Sequence, residues 1–288
     1  MDTSETVLVG TDGSAPADAA VRWAAVEAQR RDTTLTVLNA YDPTWAATPG
    51  LPRRDLTHAT DLAETIVADA LRMINTLAPR VTVHTMAVPG DPAAVLIEQA
   101  TDAALLVVGH RGRGGFTSLM LGSVSQRVST HAPCPTVVVR GRALAIDGPV
   151  VLGVDSSAGC RPALRAAFTA ARRRRAPVLV VHAYAEPLPP VTPGMAPILP
   201  PDPEAVAKSH TNEVDRLLTG LRSEFPDVDV ELQVATGTAA GLLVGASHHA
   251  QLVVVGSRGH GTLTGTLLGS VGQQLLHHAD CPVLIARS

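Results

Sequence analysis

Lysine is almost missing from this chain: Lys208 is the single lysine among 23 lysines and arginines. A Walker-type phosphate loop needs a lysine directly after its glycines, and Lys208 instead follows a proline-rich segment, so that class of NTPase is excluded. Cysteine is scarce as well. Cys134, Cys160 and Cys281 include no C-x-x-C spacing, which supports neither a zinc framework nor a disulfide scaffold, and buried thiols are expected. Neither sign of charge dominates, the formal net charge being -3, so no nucleic-acid surface is implied. No stretch approaches the roughly 18 uninterrupted apolar residues of a transmembrane helix. The opening Met-Asp-Thr-Ser-Glu lacks the basic region and apolar core of a secretory signal. The expectation is a cytoplasmic protein with no membrane and no nucleic-acid partner. The sequence also lacks a G-x-S-x-G elbow and an H-E-x-x-H motif, which leaves serine hydrolase and zinc protease chemistry without support.

What the chain does contain is a glycine pattern written twice. Gly109-x-x-Gly112, nine residues, then Gly122-Ser123 returns as Gly256-x-x-Gly259, nine residues, then Gly269-Ser270. An apolar run precedes each copy, at 105–108 and 252–255. Residues 105–140 align without a gap to 252–287 with 18 of 36 positions identical, and residues 7–41 match 150–184 in the same way. Two copies of one domain, spanning 1–143 and 148–288, are therefore expected, each of a size that buries a sufficient core.

Each half reads as strands alternating with helices. In the first, strands are expected at 5–9, 35–40, 81–88, 105–108 and 136–140. Helices are expected where apolar residues recur at helical spacing: Ala17 to Ala28, Leu62 to Ile74, 92–100 and 123–131. Such alternation requires crossover connections, which give an α/β fold with a parallel sheet covered on both faces. Ligands in such sheets sit beyond the carboxyl ends of the strands. Two matching segments, 42–61 and 185–203, break the pattern, and the second holds eight prolines. They are read as irregular surface loops, acting as lids, as subunit contacts or simply as connections. The short connector at 141–149 favours two copies packed about a pseudo-twofold axis.

The chemistry follows from the repeated turn. Glycines there let backbone N–H groups approach an anion, and the helix opened by Gly122-Ser123 or Gly269-Ser270 presents its unpaired N–H groups and positive dipole end. Arg111 and Arg258, between the first two glycines of each copy, would add charge. The plain alternative is that these glycines only make tight strand-to-helix turns. Asp12 and Asp155 end the first strand of each half at the same sheet edge, suited to a sugar hydroxyl or a magnesium ion, or to capping the next helix. Ser14 and Ser157 are better placed as caps. Ala40 and Ala183 would offer backbone groups to a base edge. His131 and the adjacent pairs His248-His249 and His277-His278 read as surface or helix-end residues, and Arg172 to Arg175 as a solvated helix end.

Strand-end aspartate, G-x-x-G, nine residues, G-S and a Cys-Pro entry into the last strand together resemble the universal stress protein family in its tandem two-domain form. The resemblance covers nearly the whole chain. It implies two Rossmann-like, adenine nucleotide alpha hydrolase-like, three-layer domains, each with a five-stranded parallel sheet, paired through their last strands. It also implies one ATP site per half, with magnesium accompanying the ATP, in a nucleotide-dependent stress-response regulator that forms a homodimer. The residues implied in the first half are Gly10, Asp12, Ala40, Gly109, Arg111, Gly112, Gly114, Gly122, Ser123 and Val124. Gly153, Asp155, Ala183, Gly256, Arg258, Gly259, Gly261, Gly269, Ser270 and Val271 are their counterparts. No positioned base for water is recognisable, so at most slow hydrolysis is expected. The alternatives are an ATP-using hydrolase or adenylyl transferase on the same sheet, and a ligand-free dimerisation scaffold.

Overall fold

The computed structural model describes residues 6–41, 56–113, 120–155, 160–185, 202–259 and 268–287. Gly114, Gly261 and Ser157 lie outside them, as do most residues of the two irregular segments. Valine- and leucine-rich runs form strands, and alanine- or leucine-striped segments form helices. The first half runs β1 (Val7–Gly10), α1 (Ala15–Arg31), β2 (Leu35–Tyr41), α2 (Leu56–Leu77), β3 (Val83–Pro89), α3 (Pro92–Gln99), β4 (Leu105–Gly109), α4 (Ser123–His131) and β5 (Thr136–Val139). The second repeats it as β6 (Val150–Gly153), α5 (Arg161–Arg174), β7 (Val178–Tyr184), α6 (Pro203–Glu224), β8 (Val230–Thr236), α7 (Ala239–Ser247), β9 (Leu252–Gly256), α8 (Ser270–His278) and β10 (Val283–Ala286).

Local chemistry sets the helix ends. Ser14 Oγ accepts the Ala17 N–H at 3.4 Å, and Asp91 Oδ1 accepts the Ala94 N–H at 2.8 Å, each with a proline in the first turn that follows. Helices α1 and α5 end on left-handed residues at equivalent places, Asp32 and Arg175, both with φ of 52°.

The strands form one sheet in the order β3-β2-β1-β4-β5-β10-β9-β6-β7-β8. Neighbours are parallel within each half. At the centre β5 and β10 run antiparallel, with Val137 opposite Leu284 and Val138 opposite Val283. A strand order symmetric about one antiparallel pair is the outcome of relating two equal halves by a twofold rotation.

Alternation along each strand divides the core into two layers. Val7, Val9, Leu105 and Val107 face α1, α2, α5 and α6, whereas Leu8, Leu106 and Val108 face α3, α4, α7 and α8. Two repeat-equivalent arginines lock the halves together. Arg140 Nη1 donates to the carbonyls of Leu275 at 3.2 Å and Leu276 at 2.6 Å in α8, and Arg287 Nη2 donates to the Ser129 carbonyl in α4. A cation bound to last-turn carbonyls is stabilised by the negative end of the helix dipole.

One expectation is corrected here. Arg172, Arg173 and Arg175 are exposed, but the Arg174 side chain is only 1% exposed, so residues 172–175 are not uniformly a solvated helix end. Arg174 Nη2 lies 2.7 Å from Glu27 Oε2 in α1, and Glu27 Oε1 lies 2.7 Å from Arg31 Nε. The twofold packing sets the last turn of α5 against α1, and Glu27 draws the arginine inward.

Candidate functional site

Parallel pairing of β1 with β4, Val9 against Val107, brings the segment after β1 beside the glycine turn after β4. Asp12 ties the two together. Its Oδ1 accepts the Ser14 N–H at 3.0 Å, and its Oδ2 accepts the Arg113 N–H at 2.6 Å. Ser14, not Asp12, caps α1. The left-handed Gly13, with φ of 71°, completes the turn by donating its N–H to Thr11 Oγ1 at 3.2 Å.

The neck of the glycine loop is closed in the same way in both halves. The Gly122 N–H donates to the His110 carbonyl at 2.8 Å, and the Gly269 N–H donates to the Ser257 carbonyl at 3.0 Å. Two of the loop amides expected to face an anion, those of Arg113 and Gly122, are thus taken by the protein itself. The first turn of the next helix differs. Among the described residues no side chain caps α4 at Gly122 or α8 at Gly269, and the leading N–H groups of a helix have no acceptor within it. Val124 and Val271 stand in these turns, beside Ser123 and Ser270.

The glycines have separate reasons. A methyl group at Gly109 would stand 2.5 Å from the Pro16 carbonyl oxygen, so this glycine lets β4 and the start of α1 approach. At Gly112 it would stand 2.3 Å from Asp12 Oδ2, and at Gly259 2.7 Å from Asp155 Oδ2. The second glycine of each pattern therefore makes room for the strand-end aspartate.

Two crevices result, at equivalent places along the carboxyl edge. The first has a volume of about 510 Å³ and is lined by Gly10, Asp12, Ala40, Gly109, Arg111, Gly112, Gly122, Ser123 and Val124. The second, of about 240 Å³, is lined by Gly153, Asp155, Gly256, Arg258, Gly259, Gly269, Ser270 and Val271. Ala183 is not on its wall; Val181, two residues earlier on β7, is. Sequence reading missed the apolar side of both crevices: Pro92, Leu96, Leu38 and Val108 in the first, and their counterparts Ala239, Leu243, Val181 and Val255 in the second. The period of 92–100 marked a buried helix face but carried no signal for which sheet edge it would cover.

The halves differ in how their walls are held. Arg127 of α4 reaches both oxygens of Asp91, the cap of α3, at 2.9 Å, pinning the two helices that flank the first crevice. The counterparts are Gln274 and Thr238, and Thr238 only caps α7, accepting the Gly241 N–H at 3.2 Å. Cys160 lines the second crevice where Ala17 lines the first, taking more of its space.

The universal stress protein family model matches the chain twice, at residues 3–140 and 148–287. The chain belongs to the universal stress protein family. A universal stress protein of Mycobacterium tuberculosis is 35% identical over 291 residues, covering 98% of this chain and 96% of the relative. One from Mycolicibacterium smegmatis is 34% identical with the same coverage. The crystal structure of a universal stress protein from Archaeoglobus fulgidus superposes with a TM-score of 0.68 at 16% identity, over 99% of this chain and 98% of that one, and shares the fold. Membership brings a stress-response role. No described helix is long and apolar enough to cross a membrane, and no described group of three His, Cys, Asp or Glu is arranged to hold a metal.

The Cys-Pro positions of the family pattern are inert thiols. Burial pushes Cys134 up to about 11 and Cys281 up to about 12, outweighing the Leu106 N–H beside the first and the Arg142 charge near the second. At about pH 8 the reactive thiolate is a negligible fraction of either. Mass spectrometry after iodoacetamide treatment of the native protein should find both unmodified, while in denaturant both react. Native labelling at the unfolded rate would contradict their burial.

Proposed function

We propose that this universal stress protein binds ATP at the carboxyl edge of each half and acts as a nucleotide-dependent regulator of the stress response. The observation that carries the reading is the first crevice: an apolar wall of Leu38, Ala40 and Leu96 on one side, and the uncapped first turn of α4 with Arg111 on the other. A flat base suits the first side. A polyphosphate suits the second, where helix N–H groups and a guanidinium favour negative charge. Asp12 is the one carboxylate on this wall among the described residues, and magnesium accompanying a polyphosphate takes few protein oxygens besides those of the ligand. Both oxygens of Asp12 already accept amides, so its first task is to hold the Gly112–Arg113 turn at the crevice.

Unequal occupancy is expected. The second crevice has less than half the volume of the first, and its flanking helices lack the Arg127–Asp91 clamp. Equilibrium dialysis with labelled ATP should resolve one tighter and one weaker site per chain. Ala40→Trp, which fills the base side of the first crevice, should remove the tighter class alone. Protein purified and denatured for nucleotide analysis should release adenine nucleotide. ADP or AMP with sustained turnover would favour the enzyme alternative, and no saturable binding at either site would overturn the reading.

A further inference from the structure

A third cavity lies away from both crevices and shares no lining residue with them. It occupies about 300 Å³ over the β5–β10 seam, between α1 of one half and α5 of the other. Its origin is a broken symmetry in the repeat. The positions equivalent to Trp23 and Glu27 in α1 are Ala166 and Ala170 in α5, so two large side chains on one side of the twofold face two methyl groups on the other. The sheet beneath contributes Leu105, Val137 and Leu284, and Trp23, only 4% exposed, forms an aromatic wall.

The charge around this apolar pocket is one-sided. Arg31, Arg165, Arg173 and Arg287 line it with a single carboxylate, Glu27. Glu27 has no capacity to spare, since its two oxygens serve Arg31 and the buried Arg174. Arg165 has its own partner in Glu224. Arg173 has no hydrogen-bond or ion-pair partner among the described residues, whereas Arg287 borders the cavity but turns its guanidinium to the opposite face of the sheet, where Nη2 donates to the Ser129 carbonyl of α4. Burial and the neighbouring Arg31 and Arg174 guanidiniums disfavour the Arg173 charge, and the only carboxylate acting on it, Glu27, is already shared between two other arginines. An aromatic-walled pocket of this size with guanidiniums around it matches the chemistry of a ligand with a ring and an acid group.

We propose that this interdomain cavity binds a small organic anion, its apolar ring body against Trp23 and the sheet and its acid group on Arg173. Such a ligand contacts both halves at once, so its binding would be a separate input to the protein, independent of the crevices.

The probe is 8-anilinonaphthalene-1-sulfonate, with its uncharged counterpart N-phenyl-1-naphthylamine as control. The chain has two tryptophans, and Trp45→Phe leaves Trp23 as the only donor. In that background the sulfonate should bind saturably, one per chain, with emission sensitised through Trp23 and unchanged by saturating ATP. Arg173→Gln, an exposed position, should weaken it roughly tenfold or more, the loss of one charged contact. Ala166→Leu, which narrows the cavity, should abolish the energy transfer, and Arg173→Gln keeps the test valid if that variant folds poorly. Absence of sensitised emission, equal affinity for the uncharged probe, or an unchanged affinity in Arg173→Gln would each overturn the proposal. Displacement of the probe by ATP would place it in the crevices and overturn it as well.

Discussion

ATP titrated into a Gly112→Ala, Gly259→Ala double variant is expected to bind on the order of 10- to 100-fold more weakly at each site, the effect of losing one hydrogen bond to a charged group. The added methyl groups would stand 2.3 Å from Asp12 Oδ2 and 2.7 Å from Asp155 Oδ2, well inside contact distance. Backbone on both sides of the turn is tied down, so the carboxylates must swing away. In the first half that movement breaks the 2.6 Å bond from the Arg113 N–H and releases the loop that follows Gly112. Neither aspartate belongs to the hydrophobic core, so the melting transition should stay close to that of the parent. Asp12→Asn offers a milder companion: it keeps the shape and one acceptor oxygen, and should cost less than the glycine change. Unchanged ATP affinity in the double variant would refute the assignment of these turns to nucleotide.

The sequence exposed the architecture because each part of it is periodic. Strands, helices and their order followed from apolar spacing, and the duplication of 105–140 in 252–287 announced two equivalent halves. The glycines were visible, but not what they accommodate. Gly109 is explained by Pro16, whose carbonyl lies 93 residues away in sequence and is fixed only by the strand pairing of β1 with β4. Asp12 was legible as a strand-end carboxylate; that it grips the amide of Arg113 depends on the loop reaching back across the sheet edge. Ala183 drew notice as the counterpart of Ala40, yet the second crevice closes earlier, at Val181, with Cys160 standing where the first has Ala17. Arg174 was hidden most completely. Nothing local separates it from Arg172 or Arg173, and only the packing of α5 on α1 sets it over the Trp23 ring, 5.6 Å from its centroid, and against Glu27.

That burial leads to the largest stability effect expected in the molecule. Glu27→Ala should destabilise the protein by about 3–5 kcal/mol at neutral pH, because removing one member of a buried ion group leaves the others uncompensated. Burial alone would raise the Glu27 carboxyl, but Arg174 and Arg31 outweigh it and hold it below its ordinary value of 4.5. A carboxyl depressed in the folded state binds protons more readily when unfolded. Its stabilisation is therefore complete above about 4.5 and lost as the pH falls below that value. Urea midpoints measured from neutral to acidic pH should show the parent losing its advantage over Glu27→Ala in that window, so that the two curves converge. Parallel curves would mean that Glu27 acts through packing instead. A triple variant, Glu27→Leu with Arg31→Met and Arg174→Met, removes every charge of the group together and should recover most of the loss, since buried ion pairs are often no more stable than apolar residues of similar volume. The single carboxylate has no counterpart at Ala170, so one side chain on one half holds an arginine from each, and the interface between the copies depends on a residue their duplication does not share.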